Sequence, residues 1–474
     1  MGNKVWSLYV LVLVVFVPIV AAVGGYDDEG WRSGGSNGGA WQRKREKWFL
    51  LQETKHVVKT DAGEMKVVRG FGGKLNTNPM HIGFITMEPR SLFIPHYLDS
   101  SLILFIRTGE ATIGHICKDA LVEKSIKSGD IYRISAGSPF YLMNTAKRQK
   151  LHVICSIDTS QSLGMHAIQS FFIAGGTYPT SVLSGFDHST LSTAFNVSKA
   201  KLRKMLRRQE NGPIVYLSDT SSPWSKFLDM DQHQKLTHMR RIVQTGLEAL
   251  EEKELDGEAT WSVRKLLFKL FGKVGQRENM RSKMSNGPDS YNIYDRKPDF
   301  ENNYGWTKTL DESDYSPLGH DDVGVYLVHL TKGSMMAPHI NPRATEYGIV
   351  LRGAGTIQVV YPNGSLAMNA KVKEGDVFWI PRFFPFCQVA SPTGPGPFEF
   401  LGFTTSARNN KPQFLVGANS LLHAVRGPEF AAAFGMSNDR LTEIIKAQRE
   451  MVILPPADGQ GGGGGAAAGK GGKR

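Results

Sequence analysis

The hydrophobic positions of this chain fall in short runs, such as "HIGFITM", "SLILFIR", "GDIYRIS" and "KLHVICSI". Within each run β-branched and aromatic residues recur, and glycine or polar turns separate one run from the next, the pattern of antiparallel strands with a buried face. Together the runs predict a small barrel whose interior is filled by alternate side chains. A helical period follows in "STAFNVSKAKLRKMLRRQENGPIVYL", where Leu202, Met205 and Leu206 share one face. The segment "AAAFGMSNDRLTEIIKAQREMVILPP" repeats it with Leu441, Ile444 and Ile445, and Gln448 corresponds to Gln209. The repeating unit is therefore a barrel with helices attached, present twice.

A second pattern recurs with the same offset. In the later copy Gly333, His339, Asn341, Glu346 and Gly353 stand in the spacing G-x5-H-x-N-x4-E-x6-G, and a partner segment runs from Gly375 and Asp376 through Pro381 to Phe386. This resembles the paired motifs of the cupin family, whose metal-binding members read G-x5-H-x-H-x4-E-x6-G and then G-x5-P-x-G-x2-H. Residues two apart on a strand point the same way, so two histidines, a carboxylate and a last imidazole can meet at one ion. Here Asn341 and Phe386 replace two of the four donors. A neutral amide is a poor transition-metal ligand and a phenyl ring is none. Cys387 is adjacent to Phe386 but faces the other side of a regular strand. The earlier copy is further reduced, with His96 at the first position, Leu98 and Leu102 at the next two, and Phe140 at the last, after Gly129 and Asp130. The expectation is no catalytic residue, no metal and no cofactor, with His339 and Glu346 buried and hydrogen-bonded.

Lys4 precedes the apolar run "VWSLYVLVLVVFVPIVAA", which ends in small residues, the layout of a secretory signal peptide over 1–22. No later segment is apolar and long enough to span a bilayer, so no membrane partner is expected. Residues 23–46 begin Gly- and Ser-rich and end basic, and read as a disordered arm; 457–474 read as a disordered Gly-rich tail. Between them lie a barrel-plus-helix unit at 47–215, a charged helical insertion at 216–285 and a second barrel-plus-helix unit at 286–456. Inside the insertion Trp261, Leu267, Leu270, Phe271 and Val274 form an amphipathic stripe of the kind that lies on a membrane surface or, as expected here, packs on the chain's own barrel or a neighbouring subunit. The net charge of +12 is scattered over several segments with no nucleic-acid fold around them, so it reads as solvated surface. Three cysteines are too few for a disulfide framework; Cys117 and Cys155 lie in one repeat, and spacing leaves their pairing open. Asn363 in "NGS" and Asn196 in "NVS" are N-glycosylation sequons, the first in a turn and the second just before a helix.

Over about 47–456 the chain resembles vicilin-type 7S seed globulins, which are bicupins. The resemblance is carried by "YNIYDRKPDFENNYGWTKTLDESDYSPL" at the entry to the second barrel, by "SAGSPFYLMN", and by the two helical segments opening on "AF". It implies a mainly β fold of two cupin jelly-roll barrels, each followed by a helical extension and related by a pseudo-twofold repeat. It also implies a homotrimer clasped through those extensions, passage through the secretory pathway to the protein storage vacuole (or the extracellular space), and a role as a nutrient reservoir. Relatives that hold copper or zinc do so through donors of which this chain keeps only His339. The chain is also lysine-rich and basic where many storage globulins are rich in Gln, Glu and Asn. Two rival readings follow from the same residues: a bicupin binding a sugar or an anion weakly at the barrel mouth, where His339, Asn341 and Glu346 offer polar groups, and a metal-dependent oxidase like the germins.

Overall fold

The computed structural model describes residues 48–70, 79–117, 120–173, 175–217 and 290–457. The expected leader, basic arm, charged insertion and glycine-rich tail lie outside them, as do the side chains of residues 116–122, Cys117 included.

The alternating runs form four antiparallel sheets, two per barrel, in the same order in both halves. In the first half Gly63–Val68, Met80–Met87, Leu151–Asp158, Ser101–Thr108 and Asp130–Ile134 lie side by side; in the second Gly305–Leu310, Gly324–Leu330, Phe398–Thr404, Glu346–Arg352 and Val377–Ile380 do the same. The smaller sheet of the first barrel centres on Phe140–Asn144 between Ser91–Leu98 and Glu110–Cys117, and that of the second on Phe386–Ala390 between Ala354–Val360 and the short strands Met335–Met336 and His339–Ile340. The fold is mainly β, two jelly-roll cupin domains in pseudo-twofold repeat.

Three large apolar clusters among the described residues hold it together. One fills the first barrel, around Leu102, Leu104, Tyr132, Phe140 and Leu142. Another fills the second, around Phe378, Ile380, Phe386, Phe398 and Phe400. The third joins the two larger sheets back to back, with Ile103, Phe105 and Ile131 meeting Leu327, Tyr347, Trp379 and Phe403. At about 25 cal/mol per Å² of apolar surface, this shared layer makes the pair of barrels one cooperative body. A half-buried bidentate ion pair crosses it, from Arg133 Nε to Asp321 Oδ2 at 2.5 Å and Arg133 Nη2 to Asp321 Oδ1 at 2.9 Å. The chain also exchanges arms: Leu50 bridges to Phe378 and Leu51 N–H donates to Val377 O, while Tyr291–Asn292 pairs with Asp130–Ile134.

The helical extensions are α1 (His188–Ala194) and α2 (Lys199–Arg207) after the first barrel. After the second come α3 (Leu421–Ala424), α4 (Pro428–Ala433) and α5 (Asn438–Ala447). Ser198 and Ser437 cap α2 and α5 through their hydroxyls. Of the expected apolar faces, Leu202, Leu206 and Leu441 are buried, whereas Met205 is 47% exposed and Ile444 56%. The stripe is narrower than the period suggests: in the first extension only Leu202 and Leu206 reach the small cluster that Leu191, Leu183 and Val197 complete.

Candidate site in the second barrel

His339–Ile340 pairs with Phe386–Ala390 so that His339 stands directly opposite Phe386. The two rings touch, with centroids 4.0 Å apart, and Phe414 closes the other side at 5.2 Å. The imidazole Nδ1 is 2.8 Å from Ala337 O, which places its proton there and its lone pair on Nε2. Burial holds His339 down at about 4, so the ring is neutral at ordinary pH.

Glu346 opens the strand Glu346–Arg352 and points into the same barrel, 5% exposed. Three neutral donors serve its carboxylate: Tyr326 Oη to Oε1 at 2.7 Å, Gln388 Nε2 to Oε1 at 3.3 Å, and Asn341 Nδ2 to Oε2 at 2.8 Å. Asn341 is held in turn by Asn410, whose Nδ2 donates to Asn341 Oδ1 at 3.1 Å. Burial pushes the carboxyl up to about 7, against the pull of the Tyr326 and Asn341 hydrogen bonds. The Tyr326 phenol is raised as well, by burial first and then by the adjacent carboxylate.

His339, Asn341 and Glu346 thus stand in one buried barrel, as their spacing predicts, and Asn341 and Glu346 are bonded to each other. Tyr326, Gln388 and Asn410 were not singled out by spacing. Gln388 had a signal, since it lies two positions beyond Phe386 on the same strand face. Tyr326 had none, because its strand meets Glu346 only across the sheet. Cys387 faces away from Phe386, with its thiol 3.8 Å from Gln358 Oε1.

The first barrel repeats the histidine but not the carboxylate. His96 stands opposite Phe140, its Nδ1 2.7 Å from Ile94 O, among Phe93, Phe140 and Phe172. Leu102, level with Glu346, is buried in the apolar core. Its polar pair lies elsewhere: His115, across from Phe140, has Nδ1 2.8 Å from the Tyr132 hydroxyl. Cys155 is a free, buried thiol raised to about 12 by burial.

These residues do not fit the metal site of the cupin motif. Its last position holds a phenylalanine packed on the first histidine, and the amide at its second position is bonded to the carboxylate and to Asn410. Among the described residues no group of three or more His, Cys, Asp or Glu side chains is placed to hold an ion. Both sequons are exposed. Asn363 sits in the turn joining Ala354–Val360 to Leu366–Lys373, and Asn196 takes a left-handed φ of 48° just after α1, where it does not cap α2.

The family model for the cupins matches residues 49–203 and 291–441. A vicilin-like seed storage protein of Arabidopsis thaliana is 52% identical over 419 residues, covering 87% of this chain and 81% of the relative. The crystal structure of hazelnut (Corylus avellana) vicilin matches with a TM-score of 0.66 at 23% identity, over 86% of this chain and 99% of that one. A vicilin of Solanum melongena, whose structure revealed different anionic ligands in structurally similar pockets, matches with a TM-score of 0.67 at 20% identity, over 88% and 100%. The chain belongs to the cupin family and, within it, to the vicilin-like seed storage proteins.

Proposed function

We infer that this protein is a seed storage globulin of the vicilin type, a nutrient reservoir that turns over no substrate. The supporting observation is the 52% identity to a seed storage relative across 87% of the chain. The barrel chemistry agrees with it: where a cupin enzyme needs open donor positions, Phe140 and Phe386 pack on His96 and His339. In the same reading the 1–22 leader directs the chain into the secretory pathway and on to the protein storage vacuole, and Asn363 and Asn196 are the glycan acceptors. No helix among the described residues is long and apolar enough to cross a membrane.

Self-association into a trimer completes the proposal. The first extension exposes Phe186, Phe195 and Met205, and the second exposes Leu421, Phe434 and Ile444. Helix α2 carries Lys199, Lys201, Arg203, Lys204 and Arg207 with no acid, while α5 sets Asp439 and Glu443 among its bases. A head-to-tail contact between copies buries both apolar sets and brings acids to the basic helix.

The test is abundance. Quantified through seed development and germination, the protein should accumulate in storage vacuoles and disappear as the seedling grows. A scarce protein that persists through germination would overturn the storage reading.

A further inference from the structure

Within the second barrel the unmatched polar atom is an acceptor. Gln388 is 1% exposed, and its Oε1 is buried with no hydrogen-bond partner. Its orientation is fixed by chemistry: only the amide NH2 end is attracted to an ionised Glu346, so the carbonyl end is turned away from the carboxylate and left without a donor. A buried acceptor left unpaired costs about 1–3 kcal/mol. His339, in the same barrel, is neutral and uses its Nδ1 proton on Ala337 O, so it supplies no positive charge to Glu346. Each donor to Glu346 among the described residues is neutral: Tyr326, Asn341 and Gln388. Above pH 7, where Glu346 is ionised, the cluster therefore holds a buried negative charge and a spare acceptor, with no positive group among the described residues bonded to it.

We propose that this cluster is a binding site for a compact hydrogen-bond-donating cation, ammonium or a short primary alkylammonium, with N–H groups on Gln388 Oε1 and its charge set against Glu346. Water would pair with Gln388 Oε1 but leave the carboxylate uncompensated. An anion would meet repulsion from Glu346 and no bonded cationic partner among the described residues. The first barrel has no equivalent, since Leu98, Leu102 and Leu142 occupy the matching inward positions. The inference is independent of the storage reading and survives or fails separately from it.

Equilibrium dialysis of the full-length protein against 15N-labelled ammonium chloride at pH 8 tests it directly, alongside melting curves in ammonium chloride and in tetramethylammonium chloride at equal ionic strength. Expected are saturable uptake of about one ammonium per chain and a rise in melting temperature with ammonium only, because tetramethylammonium has no N–H to donate. Gln388→Leu, which deletes the acceptor at similar volume, should abolish the ammonium-specific rise, and Gln388→Met serves if the leucine variant does not fold. No saturable uptake, or equal melting shifts with the two salts, would overturn the proposal and leave water as the occupant of the cluster.

Discussion

The two barrels share a backbone plan and a histidine, yet they place their remaining polar groups at different positions. In the second barrel Tyr326, Asn341, Glu346 and Gln388 make one connected network. Strand register puts Gly83, Leu98, Leu102 and Leu142 at those levels in the first. Conversely, the His115–Tyr132 pair of the first barrel faces the levels that Val359 and Phe378 hold in the second. Size is exchanged along with polarity: Tyr326 lies against Gly402 in one barrel, and Gly83 against Cys155 in the other. Each interior thus keeps one largely satisfied polar cluster and fills the rest with apolar volume. The scaffold fixes where side chains point inward, while the choice of which inward positions carry hydrogen bonds is local, and tolerable only when the partners come together.

Buried histidines, the shared pair His96 and His339 together with His115 and His81 of the first half, give the largest expected effect. Burial lowers His96 and His339 to about 4, and the same cause lowers His115 and His81 to about 4, with Arg69 adding to the effect at His81. In the unfolded chain these rings titrate near 6.5, so between about 6.5 and 4 the unfolded state takes up protons that the folded state refuses. Their contribution is complete above pH 6.5 and is lost as pH falls towards 4, by about 2 kcal/mol per ring. Glu346 runs the other way. Its folded value near 7 exceeds the ordinary 4.5, so its contribution is complete below pH 4.5 and lost as pH rises through 7. Four rings outweigh one carboxyl. The unfolding free energy measured by urea titration should fall by several kcal/mol between pH 7 and 4.5, and Glu346→Gln should make that fall steeper. A flat profile would mean the imidazoles are charged in the folded protein.

What the barrels do not share gives the next effect. Leu102→Glu places the second barrel's carboxylate in the first, without Tyr326, Asn341 or Gln388 to receive it, and should cost about 3–5 kcal/mol in chemical denaturation. Tyr326→Phe removes one of three donors from the native carboxylate and should cost less, about 1.5–3 kcal/mol, while raising the Glu346 pKa further above 7. If Leu102→Glu cost no more than Tyr326→Phe, the first barrel would have to hold water or donors close to residue 102.

Much of this contrast was legible in the sequence. The motif aligned His96 with His339 and Phe140 with Phe386 by spacing, and Leu102 with Glu346 across a one-residue gap, and the strand register agrees with each. Fold and repeat were readable because a two-residue period and glycine-bounded turns are local signals. Tyr326 and the His115–Tyr132 pair were not readable, because Tyr326 reaches Glu346 across an intervening strand of its sheet, and His115 reaches Tyr132 from the opposite sheet of the barrel. The exposed Met205 was missed for a related reason: helical period tells which residues share a face, and tertiary docking decides how much of that face is covered.

The smallest effect concerns the turn that closes both interiors. In the first barrel Gly137 has φ 72° and donates its N–H to Leu98 O at 2.8 Å; in the second Phe383 has φ 69° and donates to Asn341 O at 2.9 Å. The turn and its hydrogen bond are the same, yet one uses the residue suited to left-handed backbone and the other a bulky residue that pays about 1 kcal/mol or more for it. Phe383 is 57% exposed, with Arg382 5.9 Å from its ring centroid, so its side chain returns little by burial. A Cβ on Gly137 would meet nothing within 4 Å, which leaves backbone conformation as the whole penalty there. Gly137→Ala should therefore cost about 1 kcal/mol, whereas Phe383→Gly should stabilise by about 0.5 kcal/mol, the relief of strain being partly offset by the freer unfolded chain. Denaturant midpoints of the two variants decide the matter, and a clear loss on Phe383→Gly would show that the exposed ring makes a contact, such as one with a neighbouring copy, that outweighs its backbone strain.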